Sequence, residues 1–124
     1  MAILLNRIQT PDGTIITSRS RHDYVSYEDD NGSTYAVDGG CAYLRRQGPL
    51  DFKEMSLMST EPFAEIRRVF EWGTYGRAGK DKLTYIKLRD LTEDHIRVII
   101  GTQDKFLRPE VSELFRRELN FRGL

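Results

Sequence analysis

Two turn signals near the start of the chain constrain its fold more than any other feature. In Thr10-Pro11-Asp12-Gly13, proline presets φ for the first turn position and glycine tolerates positive φ at the exit. This turn separates the β-compatible residues 2–9 from a returning strand at 14–18. Asn31-Gly32 is the stronger signal, because a two-residue type I′ turn needs positive φ at both central positions. It joins residues 24–29 to 33–37 and sets Tyr27 opposite Ala36 and Tyr35 opposite Glu28. Gly39-Gly40 ends that hairpin. Residues 41–46 read as either helical or extended, Gln47-Gly48-Pro49 breaks the segment, and 52–58 reads as a further strand.

After residue 60 the apolar period changes from two to that of a helix. Ser59 or Thr60 is expected to cap a helix with Pro62 in its first turn and Phe63, Ile66, Val69 and Phe70 as its stripe, ended by Trp72-Gly73. A glycine-rich loop, Gly73 to Gly79, leads to a strand at 83–88. Thr92 caps the next helix, Leu91 and Ile96 form its hydrophobic staple, and Gly101 stops it. Pro109 opens a last helix with Val111, Leu114, Phe115 and Leu119 inside, and Glu113 and Arg117 as an i,i+4 pair. The expected fold is therefore α+β: N-terminal antiparallel hairpins packed with about three C-terminal helices, as one domain over residues 1–124. That length is ordinary for a single core that needs no staple.

Composition narrows the chemistry. Cys41 is the only cysteine and the histidines are His22 and His95, too few for a zinc site of the usual spacing. No metal and no cofactor are expected. The chain has no Gly-x-Ser-x-Gly turn. His95 falls in the first turn of a helix, where a cap-region role is the simpler reading. The run Gly73-Thr74-Tyr75-Gly76-Arg77-Ala78-Gly79-Lys80 departs from a phosphate loop. Its spacing is wrong, Asp81 stands where a hydroxyl residue belongs, and a strand follows instead of a helix. The chain is expected to bind rather than to catalyse. A hydrolase or nuclease using acids and His22 is a third-ranked alternative.

Basic and acidic residues both number 19, so bulk nonspecific binding to nucleic acid is disfavoured. The charge is uneven, however. Arg67, Arg68, Arg77, Lys80, Lys82, Lys87 and Arg89 outweigh Glu71 and Asp81 in one stretch, while residues 28–38 carry acids only. Two surfaces of opposite sign suit an anionic ligand and self-association; an ordinary mixed surface accounts for the same pattern.

Two clusters offer forked donors beside flat rings, the combination that grips phosphate and stacks on a base. One is Arg19, Arg21, His22 and Tyr24, with Arg45-Arg46 as a second fork. The other is Trp72, Thr74, Tyr75, Arg77 and Lys80. A diphosphate would sit on Arg19 or Arg21 and the Gly73–Lys82 loop, with a purine on Trp72, Tyr75 or Tyr24. The competing reading makes the aromatics core and pairs the arginines with nearby acids. Phe70 falls on the helix stripe and is expected in the core.

Several short motifs together carry a resemblance: Pro11-Asp12-Gly13-Thr14, Arg21-His22-Asp23-Tyr24-Val25, Asn31-Gly32, Val37-Asp38-Gly39-Gly40, Tyr43-Leu44-Arg45-Arg46, Trp72-Gly73-Thr74 and Leu83-Thr84-Tyr85. Over nearly its whole length the chain resembles a group of small tailed-phage proteins, and within them the Thoeris anti-defence family of nucleotide sponges. The resemblance implies a homo-oligomer that sequesters a cyclic ADP-ribose-type immune signal, or a cyclic oligonucleotide, without cutting it. It carries no ligand residue over to a numbered position here. A nucleic-acid- or host-protein-binding phage adaptor is the alternative. The single cysteine, the lack of a basic leader at Met1–Leu5 and the short apolar runs point to a reducing compartment, the host cytoplasm, and to no membrane partner.

Overall fold

The structure, a computed structural model, describes residues 2–76 and 79–124. It is mixed α+β, with antiparallel strands and hairpins first and helices concentrated toward the C-terminus. By its contacts the chain divides into two compact units, Met1–Thr60 and Glu61–Leu124.

In the first unit, β1 (Ile3–Gln9) pairs antiparallel with β2 (Ile15–Ser18) on one side. On its other side it pairs with β6 (Lys53–Glu54) and β7 (Leu57–Met58). The single strand expected over 52–58 is thus two short pieces. Between them Met55 donates its N–H to the Arg7 carbonyl, and Arg7 Nε returns a bond to the Met55 carbonyl at 2.6 Å. A second sheet runs β3 (Val25–Glu28), β4 (Thr34–Asp38), β5 (Arg45–Gln47). The short helix α1 (Gly40–Tyr43) links β4 to β5, so the segment that read two ways is helical first and extended afterwards.

The second hairpin differs from expectation by one residue. Tyr27 lies opposite Tyr35, and Ser26 opposite Ala36. Asp29 N–H bonds to the Ser33 carbonyl and Gly32 N–H to the Asp29 carbonyl, so the loop has three residues, and only Gly32 takes a positive φ, 79°. This is a type I turn followed by a left-handed glycine, the second common way to use Asn-Gly. Asp29 Oδ1 selects it by accepting the N–H groups of Asn31 and Ser33. The register puts Val25, Tyr27, Tyr35 and Val37 on one face, where they pack with Ile8, Ile16 and Phe52 into the core of this unit.

In the second unit, α2 (Phe63–Val69) is followed by β8 (Glu71–Thr74), β9 (Thr84–Lys87), α3 (Glu93–Gln103) and α4 (Pro109–Phe121). Neither Ser59 nor Thr60 caps α2; Pro62 is its N-cap residue. Ser59 is held instead at β1, where its Oγ accepts from Ala2 N–H and its own N–H donates to the Ala2 carbonyl. Trp72-Gly73 does not end α2 but lies in β8, paired with Ile86 and Tyr85. Extended pairing of β8 with β9 overrides the helical reading there. Gly101 does not stop α3, which runs on to Gln103; the open space around it makes glycine tolerable at a modest cost in propensity. Thr92 caps α3, its Oγ1 accepting from His95 N–H at 3.1 Å. The core holds Ile66, Phe70, Leu88, Leu91, Ile96, Ile99, Leu114, Phe115 and Leu119, so Phe70 is core as expected. Among the described residues no helix is long and apolar enough to cross a membrane.

Candidate functional site

Four of the expected ligand residues, Arg19, Arg21, His22 and Tyr24, share the exposed loop between β2 and β3. The loop is tied down by its own polar groups. Ser18, itself buried, donates its Oγ–H to the Asp23 carbonyl at 2.7 Å and accepts Gly40 N–H at 2.8 Å. Asp23 Oδ2 accepts Arg19 N–H at 2.8 Å, and Asp23 N–H donates to the Ser20 carbonyl.

The Gly39-Gly40 pair makes room for this arrangement. A Cβ on Gly40, which has φ 51°, would lie 2.7 Å from the Ser20 carbonyl carbon. One on Gly39 would lie 2.5 Å from the Tyr43 Cβ. The backbone between β4 and α1 therefore touches both the arginine loop and the base of the Tyr43 side chain.

Tyr43 is the residue that sequence reasoning left out of the site. Arg21 Nη2 donates to its hydroxyl at 2.7 Å, and the Arg21 guanidinium carbon lies 5.4 Å from its ring centroid. The Arg45 guanidinium carbon lies 4.6 Å from the same centroid. As a residue Tyr43 remains 45% exposed, and Tyr24 is 56% exposed. Between Tyr43 and Arg45 stands Leu44, the only non-glycine residue with positive φ (47°) among those described. A left-handed residue lets the chain double back, so that Arg45 reaches the ring of Tyr43 rather than running away from it. That conformation costs about 1–2 kcal/mol in an L-residue. An exposed cation–π contact returns only about 0.5–1 kcal/mol. Leu44 also caps α1, its N–H donating to the Gly40 carbonyl at 3.2 Å, so the same left-handed turn closes the helix and aims Arg45.

The two arginines of the expected second fork are not equivalent. Arg46 is drawn inward: its Nε donates to Asn6 Oδ1, and both Nη groups grip the Glu54 carboxylate. Nη2 also reaches Ser56 Oγ. This pairing holds the Glu54 carboxyl well below its ordinary range, down to about 2. Arg45 is exposed, with Nη1 3.5 Å from Asp38 Oδ2. Alternation along β5 is the sequence signal for this split, since neighbours in a strand face opposite ways.

The remaining candidates belong to the second unit. Trp72 is half-buried, its ring edge-on to Phe115 with centroids 5.3 Å apart. Thr74 ends β8, and its Oγ1 accepts Gly76 N–H at 3.2 Å. It lines a groove of about 590 Å³ with Gly76, Ile86, Thr92, Asp94, His95 and Val98. Tyr75 and Lys80 are exposed. Arg77 and Ala78 lie outside the described residues. Much of the basic stretch is paired: Arg67 with Glu118, Arg68 with Glu65, and Arg89 with Asp90. Among the described residues no three His, Cys, Asp or Glu side chains are grouped to hold a metal ion.

The first-unit surface thus combines two exposed guanidinium groups, an exposed phenol ring between them and a second exposed tyrosine on a braced loop. Such groups suit a phosphate and a flat base. No protein-family model, curated protein or solved structure matches the chain.

Proposed function

We propose that this protein is a non-enzymatic phage anti-defence protein that binds and sequesters a cyclic nucleotide immune signal of the cyclic ADP-ribose type, or a cyclic oligonucleotide. The observation that carries the reading is the convergence of Arg21 and Arg45 on the exposed ring of Tyr43. Guanidinium groups bind phosphate through parallel N–H bonds, and Tyr24 offers a flat face for a purine. The bonds of Ser18 and Asp23 fix the loop beforehand, which lowers the ordering cost of capture. The family resemblance supplies the ligand class and the biological role. A homo-oligomer that apposes two such surfaces would enclose a ligand that one open face leaves partly in water.

Titration calorimetry of the purified protein against cyclic ADP-ribose isomers and cyclic di- and trinucleotides tests the proposal. At least one ligand is expected to bind at about micromolar Kd or tighter. Mass spectrometry after heat release should recover it unchanged, and Arg21→Ala should weaken it at least about tenfold. Absence of binding by all of them removes the proposal, and an altered ligand makes the protein an enzyme. Binding of single-stranded nucleic acid that falls steeply with salt would favour the adaptor instead.

A further inference from the structure

The groups around Arg45 divide the labour on this surface. Asp38 Oδ1 is committed to the N–H of Gly39 at 2.8 Å, so only Oδ2 faces Arg45, and it does so at 3.5 Å. That distance is long for a charge-assisted hydrogen bond, and the arginine side chain is 59% exposed. Arg46, one residue along, is the contrast. Its guanidinium is engaged by Asn6, Glu54 and Ser56 at 3.0 Å or less and has little to offer a ligand. Arg21 likewise spends one N–H on a neutral acceptor, the Tyr43 hydroxyl, out of the five a guanidinium carries.

We infer that Arg21 and Arg45, presented on the ring of Tyr43, form a two-armed clamp for a diphosphate, and that Asp38 is its built-in competitor, holding Arg45 loosely until a phosphate oxygen displaces it. The inference rests on the nucleotide-binding reading for the ligand's biological identity but names the part of the ligand these residues take. Both guanidinium carbons lie within 5.4 Å of one ring centroid, which gathers both arms at a single side chain, and the clamp assigns one phosphate of a diphosphate to each. Tyr43 is the positioning residue: its hydroxyl orients Arg21, and its ring carries Arg45. Leu44 in its left-handed conformation and the close approach at Gly39 fix that ring and its second arm. Asp38 adds selectivity, because a weakly charged anion displaces it poorly whereas a diphosphate brings more charge and more acceptors.

Inorganic pyrophosphate is the probe, titrated into the protein by calorimetry, with inorganic phosphate and sulfate alongside and the Nε–Hε signals of Arg21 and Arg45 followed by NMR. Pyrophosphate should bind more tightly than phosphate or sulfate and shift both signals. Asp38→Asn keeps an acceptor for Gly39 N–H while removing the charge, and should tighten pyrophosphate by about two- to fivefold. Arg21→Gln and Arg45→Gln should each weaken it at least about tenfold. Tyr43→Phe should weaken it less and broaden only the Arg21 signal. Unchanged or weaker binding by a folded Asp38→Asn overturns the competitor role. Should that variant fail to fold, Arg45→Gln decides instead: a folded Arg45→Gln protein that binds pyrophosphate as tightly as wild type overturns the clamp and with it the competitor role. Pyrophosphate binding without any cyclic nucleotide binding keeps the clamp and removes the sponge. Nucleotide binding indifferent to Arg45 and Asp38 does the reverse.

Discussion

A methyl group added at Gly40 measures how firmly the arginine loop is held. Alanine there must adopt φ 51° and place its Cβ 2.7, 2.9 and 3.0 Å from the backbone carbon, oxygen and Cα of Ser20. Backbone yields less readily than a side-chain tip, and Ser20 is tethered through its carbonyl to Asp23 N–H. Gly40→Ala should therefore lose on the order of 3 kcal/mol, combining left-handed strain with overpacking. Gly32→Ala is the comparison, because its Cβ would meet nothing and only the φ of 79° is strained, at about 1 kcal/mol. Thermal denaturation of the two variants decides the matter; equal losses would mean the contact at Ser20 is slack. Much of this site was not legible in the sequence. Gly39-Gly40 reads as the end of a hairpin, but its close approach to Ser20 depends on a contact between distant parts of the chain. Arg19, Arg21, His22 and Tyr24 stand out as forks and rings and do share one loop. Tyr43 meets them through Arg21, and Arg45 reaches its ring because Leu44 turns left-handed, a conformation of which leucine gives no warning.

Elements form where a local signal and a tertiary partner agree. Thr92 before Glu93-Asp94 and a hydrophobic staple fixed the start of α3, and Pro109 fixed that of α4, because caps act within one turn. The end of α2 differs from the sequence expectation because its apolar stripe runs into β-forming residues, and only the pairing of Glu71–Thr74 with Thr84–Lys87 resolves the competition. The hairpin register failed for a related reason: Asn-Gly serves two turn types, and the side chain of Asp29 chose between them. The tie between α2 and α4 is likewise nonlocal. Glu118, fully buried, accepts Arg67 Nε and Nη2 at 2.8 Å and Arg122 Nε at 2.6 Å. Arg122 Nη2 also donates to the carbonyls of Leu88 and Arg89, both at 3.2 Å. Removing the acid strands two arginines that are each about one-fifth exposed. Glu118→Ala should cost about 3–5 kcal/mol, as breaking a buried pair does, while Glu118→Gln, which keeps one acceptor, should cost less. Urea unfolding followed through Trp72, the only tryptophan, reads this unit directly. Equal losses in the two variants would assign the effect to the lost charge rather than to volume.

At the scale of the molecule the formal charge cancels at pH 7, so net repulsion grows only away from neutrality, and particular carboxylates and phenols act on top of it. Each unit has its own acid-sensitive pair. In the first, Arg46 holds Glu54 down to about 2 from an ordinary 4.5. In the second, burial pushes Glu118 up, but the hydrogen bonds from Arg67 and Arg122 outweigh it and leave its value lowered. A carboxylate with a lowered folded-state pKa binds protons less readily than the unfolded chain does. Its contribution is therefore present above about 4.5 and is lost as pH falls through the folded value. The alkaline side is set by Tyr35, whose hydroxyl donates to Asp51 Oδ1 at 2.7 Å, a bond that raises its pKa to about 12 from 10.0. There the sign reverses: the protonated phenol stabilises the fold below pH 10, and that contribution is lost as pH rises toward 12. Stability should form a plateau between these limits and fall on both sides. Urea midpoints taken across the range by far-ultraviolet circular dichroism and by Trp72 fluorescence should show it. Because Glu54 and Trp72 lie in different units, Arg46→Met should soften the acid decline seen by circular dichroism while leaving the part reported by Trp72 in place. A midpoint that stays level from about pH 5 down to about pH 2 would contradict the assignment of both carboxylates.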